Sequence, residues 1–330
     1  MQKPFAITLD VGSSLANLTG NWRNQRPVYR DYLPPCNHAC PAGEDIQGWL
    51  YQAEGGDYHA AWLALVQNNP MPAIMGRVCY HPCESACNRG RLDSAVSIHA
   101  VERFLGDEAI RRGWEFPKPS VHTGKRALVV GAGPSGLAAA YHLRRAGHDV
   151  SIYEAGERPG GMMRFGIPRY RLPREVLDVE VKRIEHLGVE IVLNERVDDL
   201  AGLMRAEKFD SVFLAVGAHL AKRAYIPAGD ASKILDALQL LRNVDSGNKV
   251  ELGRRVLVYG GGNTAIDAAR TAKRLGAAET IIVYRRTREK MPAHDFELRE
   301  ALEEGIQVKW LSTIKSENEG AFMVEKMRLD

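Results

Sequence analysis

After Cys87 the sequence has no cysteine, and nowhere in its 330 residues does a Cys-x-x-Cys pair occur. The missing pair excludes the dithiol centre of thioredoxin-like oxidoreductases, which requires two thiols at that spacing. No apolar run approaches the roughly 18 residues of a membrane-crossing helix, and MQKPFAITLDVGSS lacks the contiguous apolar core of a secretion signal. A cytoplasmic protein without a membrane span is expected. Charge of one sign is scarce too: 44 Lys and Arg face 41 Asp and Glu, for a formal net charge of +3. No basic block of the kind that binds nucleic acid or a lipid surface is present.

The five cysteines are crowded into one window, as Cys36, Cys40, Cys79, Cys83 and Cys87. An odd number of thiols in a reducing compartment argues against disulfides and for metal or redox chemistry. The strings PPCNHACP and GRVCYHPCESACNRG space successive cysteines four apart, so helical or looped backbone can turn them toward one centre. Four thiolates suffice for closed tetrahedral zinc, and iron-sulfur clusters also take four protein ligands, so iron-sulfur leads, with zinc and inert thiols behind it. His38 and His81 stand among the cysteines as further donors, or as plain surface or cap histidines.

Two glycine fingerprints follow. GAGPSG (Gly131 to Gly136) comes after RALVV, and GGGNTA (Gly260 to Ala265) after RRVLVY. Each opens a helix-like stretch, the context that makes such a string a dinucleotide site. Gly131 permits the tight turn, Gly133 lets backbone approach a pyrophosphate, and Gly136 lets helix meet strand. HDVSIYEA then reads as the second strand of a β-α-β unit and ends in Glu154, where a carboxylate accepts hydrogen bonds from an adenosine ribose. The second unit repeats the plan but ends in Arg285 and Arg286. Guanidinium groups suit the 2'-phosphate of NADP, which a carboxylate repels, so NADP(H) is expected over NAD(H).

Residues 1 to about 25 read as an extended arm, and Glu44 to Asn69 as a helical hairpin broken at Gly55-Gly56. VSIHAVERFLGDEAIRRGW is a further amphipathic helix, with Pro117 and Pro119 marking a linker and a boundary near Ser120. The fold class is α/β, with parallel sheets.

These strings together resemble the small (beta) subunit of glutamate synthase and its relatives, including the amino-terminal region of dihydropyrimidine dehydrogenase. The likeness rests on CNHACPAGEDI, GRVCYHPCESAC, the GAGPSG unit, ERPGGMMRFGIPRYRLP, GGGNTAIDAAR and VYRRTREKMPA, and covers nearly everything from residue 36 to 305. It implies an all-helical iron-sulfur domain followed by two nested Rossmann-like domains, one for FAD and one for NAD(P)H. In this sequence they would occupy residues 1–119, 120–250 and 251–330. Carried over by position, Cys40, Cys79 and Cys83 become ligands of one [4Fe-4S] cluster, with Glu102 completing it. Cys36 and Cys87 match ligands of a second cluster, whose other two cysteines are replaced here by Asp31 and Val28. Gly131, Gly133, Ser135, Gly136 and Glu154 match the adenosine-diphosphate site of FAD, and Arg158, Gly161, Met162 and Arg164 the segment along its pyrophosphate and ring. Gly260, Gly262, Asn263, Thr264, Ala265, Arg285 and Arg286 match the nicotinamide dinucleotide site.

The family returns to its FAD domain after the nicotinamide domain, whereas this sequence stops at MVEKMRLD, so a fragment of a longer chain is expected. PPCNHACPAGEDIQGWL more closely resembles the stand-alone electron-input flavoproteins, such as those associated with reverse dissimilatory sulfite reductase or with formate dehydrogenases. The resemblance implies an enzyme that oxidises NADPH and passes hydride to FAD and single electrons through [4Fe-4S] to a larger redox subunit or acceptor protein. No catalytic side chain is assigned, because the cofactors supply the chemistry. Two rivals stand beside it: a nucleotide-binding assembly subunit, and a zinc-stapled flavoprotein.

Overall fold

The computed structural model describes residues 33–218, 234–318 and 321–329. The proposed arm and positions Val28 and Asp31 lie outside them. The helical segment contains α1 (Pro35–Ala39), α2 (Ile46–Glu54), α3 (Tyr58–Leu65), α4 (Pro72–Val78), α5 (Pro82–Ser85) and α6 (Ile98–Arg112). Asp45 and Asp57 start α2 and α3 by accepting hydrogen bonds from Gly48 and Ala60 backbone N–H, so the hairpin is capped at both helix origins. Helices α4 and α6 touch backbone to backbone. A Cβ on Gly76 would lie 2.4 Å from Arg103 N, and one on Gly106 would lie 2.3 Å from Ala73 N. Only glycine at both positions permits that crossing, which carries Cys79 at the end of α4 toward Glu102 on α6.

The first sheet follows: β1 (Arg126–Val130), α7 (Pro134–Arg145), β2 (Asp149–Glu154), α8 (Met162–Phe165), α9 (Arg174–His186), β3 (Val189–Leu193), α10 (Leu200–Ala206) and β4 (Ser211–Leu214). Its strands run parallel in the order β3-β2-β1-β4. The apolar RALVV string buries its three central residues, as a strand covered by helices requires. One core joins this sheet to the helical segment: Trp62, Ile74, Phe116, Val129, Tyr141 and Ile152 belong to the same buried cluster. Phe116 stacks on Trp62 with centroids 5.6 Å apart, and the Tyr141 hydroxyl donates to Val66 O at 2.6 Å. The stretch leading to Pro117 is therefore anchored in the core at its start.

The second sheet is built from α11 (Ala237–Asp245), β5 (Arg255–Tyr259), α12 (Asn263–Arg274), β6 (Glu279–Tyr284), α13 (Asp295–Glu303) and β7 (Gln307–Trp310). It is parallel in the order β5-β6-β7. An antiparallel hairpin, β8 (Ser312–Asn318) with β9 (Ala321–Lys326), packs on it through Ile314 and Val324.

The segment between α8 and α9 straps the two β-α-β units together. Arg171 pairs with Asp267 of α12 at 2.8 Å and with Glu297 of α13, and all three side chains are buried or nearly so. Arg169 and Arg174 reach Asp245 at the end of α11, at 3.1 and 2.7 Å. Tyr170 lies under the guanidinium of Arg274, 3.9 Å from its ring centroid.

Candidate functional site: thiol cluster and two glycine turns

Cys40 caps the C-terminus of α1, Cys79 caps α4, and Cys83 lies in α5, so short helix ends deliver three thiols to one region. Burial pushes the Cys83 thiol up to about 12, with Cys79 adding to it, and burial raises those of Cys40 and Cys79 as well, helped by Glu44 at Cys40 and by Glu102 at Cys79. Glu102 is buried close by, its carboxyl held well above the usual range first by burial and then by Glu44. The Asn69 amide donates to Glu102 at 2.7 Å and to Glu44 at 3.1 Å, tying both acids to one side chain.

This donor set fits a metal cluster on chemical grounds. Buried thiols that resist ionisation become ligands when a cation replaces the proton. Backbone N–H groups already face the sulfurs: His81 N lies 3.4 Å from Cys79 Sγ, and Glu44, Ala42 and Gly43 serve Cys40. Such N–H contacts tune iron-sulfur centres. Among the described residues no three cysteine sulfurs lie mutually within 4.8 Å. Zinc with thiolate ligands and an iron-sulfur cluster both draw on such a donor set.

Cys36 lies in α1 and packs with Cys40 against the small core formed by Ile46, Trp49 and Leu105. Cys87 precedes the 3-10 turn Asn88–Arg91, and the backbone N–H of Val96 leads the groups that lower its thiol. Both are free thiols. His38 sits in the last turn of α1, whereas His81 takes a left-handed backbone, φ 47°, before α5.

At the first glycine turn, Glu154 does more than end β2. Its Oε2 accepts from Ala132 N and its Oε1 from Gly156 N, both at 2.7 Å, so the carboxylate holds the turn in shape. Gly136 sits so close under Gly131 O that a Cβ would lie 1.9 Å away. Gly161, with φ 50°, backs onto Gly133; a Cβ there would meet Gly133 Cα at 2.8 Å. The open cradle over α7, with Ser135 exposed in its first turn, fits a pyrophosphate. Arg158 and Met162 are exposed beside it. Arg164 lies on the same segment but points inward: its Nε donates to Pro159 O at 2.6 Å and its guanidinium pairs with Asp178. It braces the loop from behind.

At the second turn, Gly260 N bonds Val283 O at 3.1 Å, and Gly262 precedes α12. Thr264 is exposed and Ala265 buried on the first turn. Gly261, not part of the expected set, is the tight position: its Cβ would lie 2.5 Å from the Tyr284 ring. Arg285 and Arg286 are exposed beyond β6 and make no ion pair among the described residues. Asn263 is fully engaged, accepting from His294 N at 3.1 Å and donating to the Tyr80 hydroxyl. Tyr80 directly follows Cys79, so the thiol loop contacts the second glycine turn. An open cavity of about 550 Å³, lined by Met75, Val78, Cys79, Tyr80, Pro82 and His294 among others, borders this contact. The sequence held no pattern that flagged Tyr80, His294 or Asn69 as partners.

Two parallel sheets with glycine turns at helix origins, beside a converging thiol set, define a dinucleotide-binding α/β protein with a metal-cluster segment. The chain belongs to the pyridine nucleotide-disulphide oxidoreductase family, whose model matches residues 125–327. Those residues contain no cysteine, so membership concerns the nucleotide-binding fold and not a dithiol. A second model, dihydropyrimidine dehydrogenase domain II, 4Fe-4S cluster, matches residues 28–114. The chain is 38% identical over 307 residues to the NADP(+)-dependent formate dehydrogenase subunit beta of Moorella thermoacetica, covering 84% of this chain and 43% of that protein. It is 35% identical over 298 residues to the glutamate synthase [NADPH] small chain of Escherichia coli, covering 84% and 62%. Among solved structures, 2-naphthoyl-CoA reductase bound to 2-naphthoyl-CoA matches with a TM-score of 0.53 and 25% identity, over 78% of this chain and 40% of that one. The resemblance to the glutamate synthase small subunit is thus borne out, as is the α/β fold with a helical cluster segment. The chain spans about half the length of the first of these relatives. Among the described residues no helix is long and apolar enough to cross a membrane.

Proposed function

We propose that this chain is the electron-input part of an NADPH-dependent flavin and iron-sulfur oxidoreductase. NADPH would bind at Gly260, Gly262, Asn263, Thr264 and Ala265, with Arg285 and Arg286 on its 2'-phosphate. FAD would bind at Gly131, Gly133, Ser135, Gly136, Glu154, Arg158, Gly161 and Met162, with Arg164 bracing that loop. Cys40, Cys79, Cys83 and Glu102 would hold one [4Fe-4S] cluster, and Cys36 and Cys87 would belong to a second metal centre. When bound, these cofactors supply hydride acceptance from the nicotinamide and its conversion to single electrons. The chain's residues do the rest: the glycine turns present helix N-termini to phosphate charge, and the N–H groups at Cys40 and Cys79 stabilise thiolate. The division into residues 1–119, 120–250 and 251–330 follows from this assignment, as does a cytoplasmic setting that keeps five thiols reduced. A larger redox subunit or an acceptor protein would take the electrons.

The observation that carries the reading is the convergence of Cys40, Cys79, Cys83 and Glu102 in a chain that also holds two glycine turns on parallel sheets. The test is the visible spectrum of anaerobically purified protein before and after NADPH, with iron and zinc analysis. Flavin bands that bleach over a broad brown absorbance, with about four iron per cluster, are expected. Nucleotide binding without bleaching would leave the assembly-subunit reading, and zinc in place of iron would leave the stapled flavoprotein.

A further inference from the structure

Three groups outside the thiol set meet just behind the cysteine loop. One donor atom from each of His81, Glu84 and His99 lies within 4.8 Å of the other two. They come from two elements: His81 and Glu84 from the start of α5, His99 from the first turn of α6. The rings of His81 and His99 meet edge to face with centroids 3.9 Å apart. The Glu84 carboxylate is fixed in place, since its Oε1 accepts from His99 backbone N at 3.0 Å and faces His99 Nδ1 at 2.8 Å. His81 Nε2 is buried and has no hydrogen-bond partner among the described residues. A buried imidazole nitrogen without a partner is costly, and the positive φ of His81 is a further strain for a residue with a Cβ.

We propose that His81, Glu84 and His99 bind a borderline divalent cation of the zinc class, at a site separate from the cysteine ligands. Two imidazoles and one carboxylate form a donor set that zinc takes at open sites and that iron(II) takes with a similar face. The bound ion would satisfy His81 Nε2 and add a coordinate bond between the cysteine loop and the origin of α6, beside the Glu84 hydrogen bond to His99 N and the ring contact of His81 with His99. Its role is to staple the Cys79–Cys83 loop in position.

The test uses the full chain, purified anaerobically with its iron content measured, and zinc chloride as the probe. Calorimetric titration is expected to show one zinc per chain, and X-ray absorption at the zinc edge to show a nitrogen and oxygen shell with the outer scattering of imidazole. His81→Asn, which suits a left-handed backbone, and His99→Gln are each expected to weaken zinc binding at least tenfold while the iron content stays unchanged. A zinc shell containing sulfur near 2.3 Å, an absence of binding, or equal affinity in both variants would overturn the site. Should a variant lose iron, the ligand shell of the unaltered protein decides.

Discussion

The Tyr80 ring lies flat on the His294 imidazole, with centroids 3.5 Å apart and planes 6° from parallel. One partner follows Cys79 and the other precedes α13, so this stack joins the thiol loop to the second β-α-β unit. Aromatic pairs of this kind add about 0.5–1.5 kcal/mol beyond their buried area, and the Tyr80 hydroxyl adds a hydrogen bond from Asn263. Tyr80→Ala is expected to destabilise the protein by about 1–2 kcal/mol. Tyr80→Phe keeps the stack and should lose no more than about 1 kcal/mol. Denaturant midpoints of the two variants, followed through both Trp fluorescence and circular dichroism, check the ordering; equal losses would refute it.

Gly106→Ala should be far more damaging than its size suggests. The new methyl would meet the backbone of Ala73, and overpacking costs about 1–3 kcal/mol. Because the crossing of α4 and α6 sets Cys79 against Glu102, iron content is expected to fall with stability. Gly55→Ala is the control: its φ is −68° and its Cβ would find Gln52 O at an ordinary 3.5 Å. Iron analysis of both variants separates the effects.

Replacing Arg285 and Arg286 together by alanine is expected to raise the KM for NADPH tenfold to a hundredfold and to leave that for NADH nearly unchanged. The estimate follows from about 1.5–3 kcal/mol for hydrogen bonds to a charged group. Steady-state kinetics with both nucleotides measure it, and an equal loss for the two would remove these arginines from the 2'-phosphate.

Glu180 gives a pH prediction. This α9 carboxylate accepts from Ala73 N and Ile74 N at the origin of α4, each at 3.0 Å, with Arg183 alongside. Complete burial nevertheless dominates and lifts its pKa from 4.5 to about 7. The folded state therefore holds a proton that the unfolded state releases. Its contribution is fully present below pH 4.5 and is lost as the pH rises through about 7. Glu180→Gln should flatten the stability profile across that window, and should cost about 1–3 kcal/mol where an amide nitrogen faces a backbone N–H. Unfolding curves at several pH values test both parts.

The two glycine turns were legible because each residue type answers a local need, at Gly131, Gly136 and Gly260 alike, and local needs repeat between proteins. The helical hairpin from Glu44 to Asn69 was legible for the same reason, through periodicity and the Gly55-Gly56 break. Glu102 was visible only through family resemblance, because an acid on an amphipathic helix looks solvated until the opposing helix is known. Gly76 and Gly106 gave no signal: their importance exists only where two helices cross. The inward turn of Arg164 was hidden, because sequence position says nothing about which way a guanidinium turns. The strap from Arg169 to Arg174 was likewise hidden, since its acidic partners lie far along the chain and follow no period.

That strap decides whether the second β-α-β unit could live alone. Without Arg171, the buried Asp267 and Glu297 would lose their direct ion-pair partner, a loss of about 3–5 kcal/mol for a broken buried pair. A cut anywhere between the two sheets thus leaves an open wound on α12 and α13. The two Rossmann units are better regarded as one inheritance, to be cloned, swapped or grafted together.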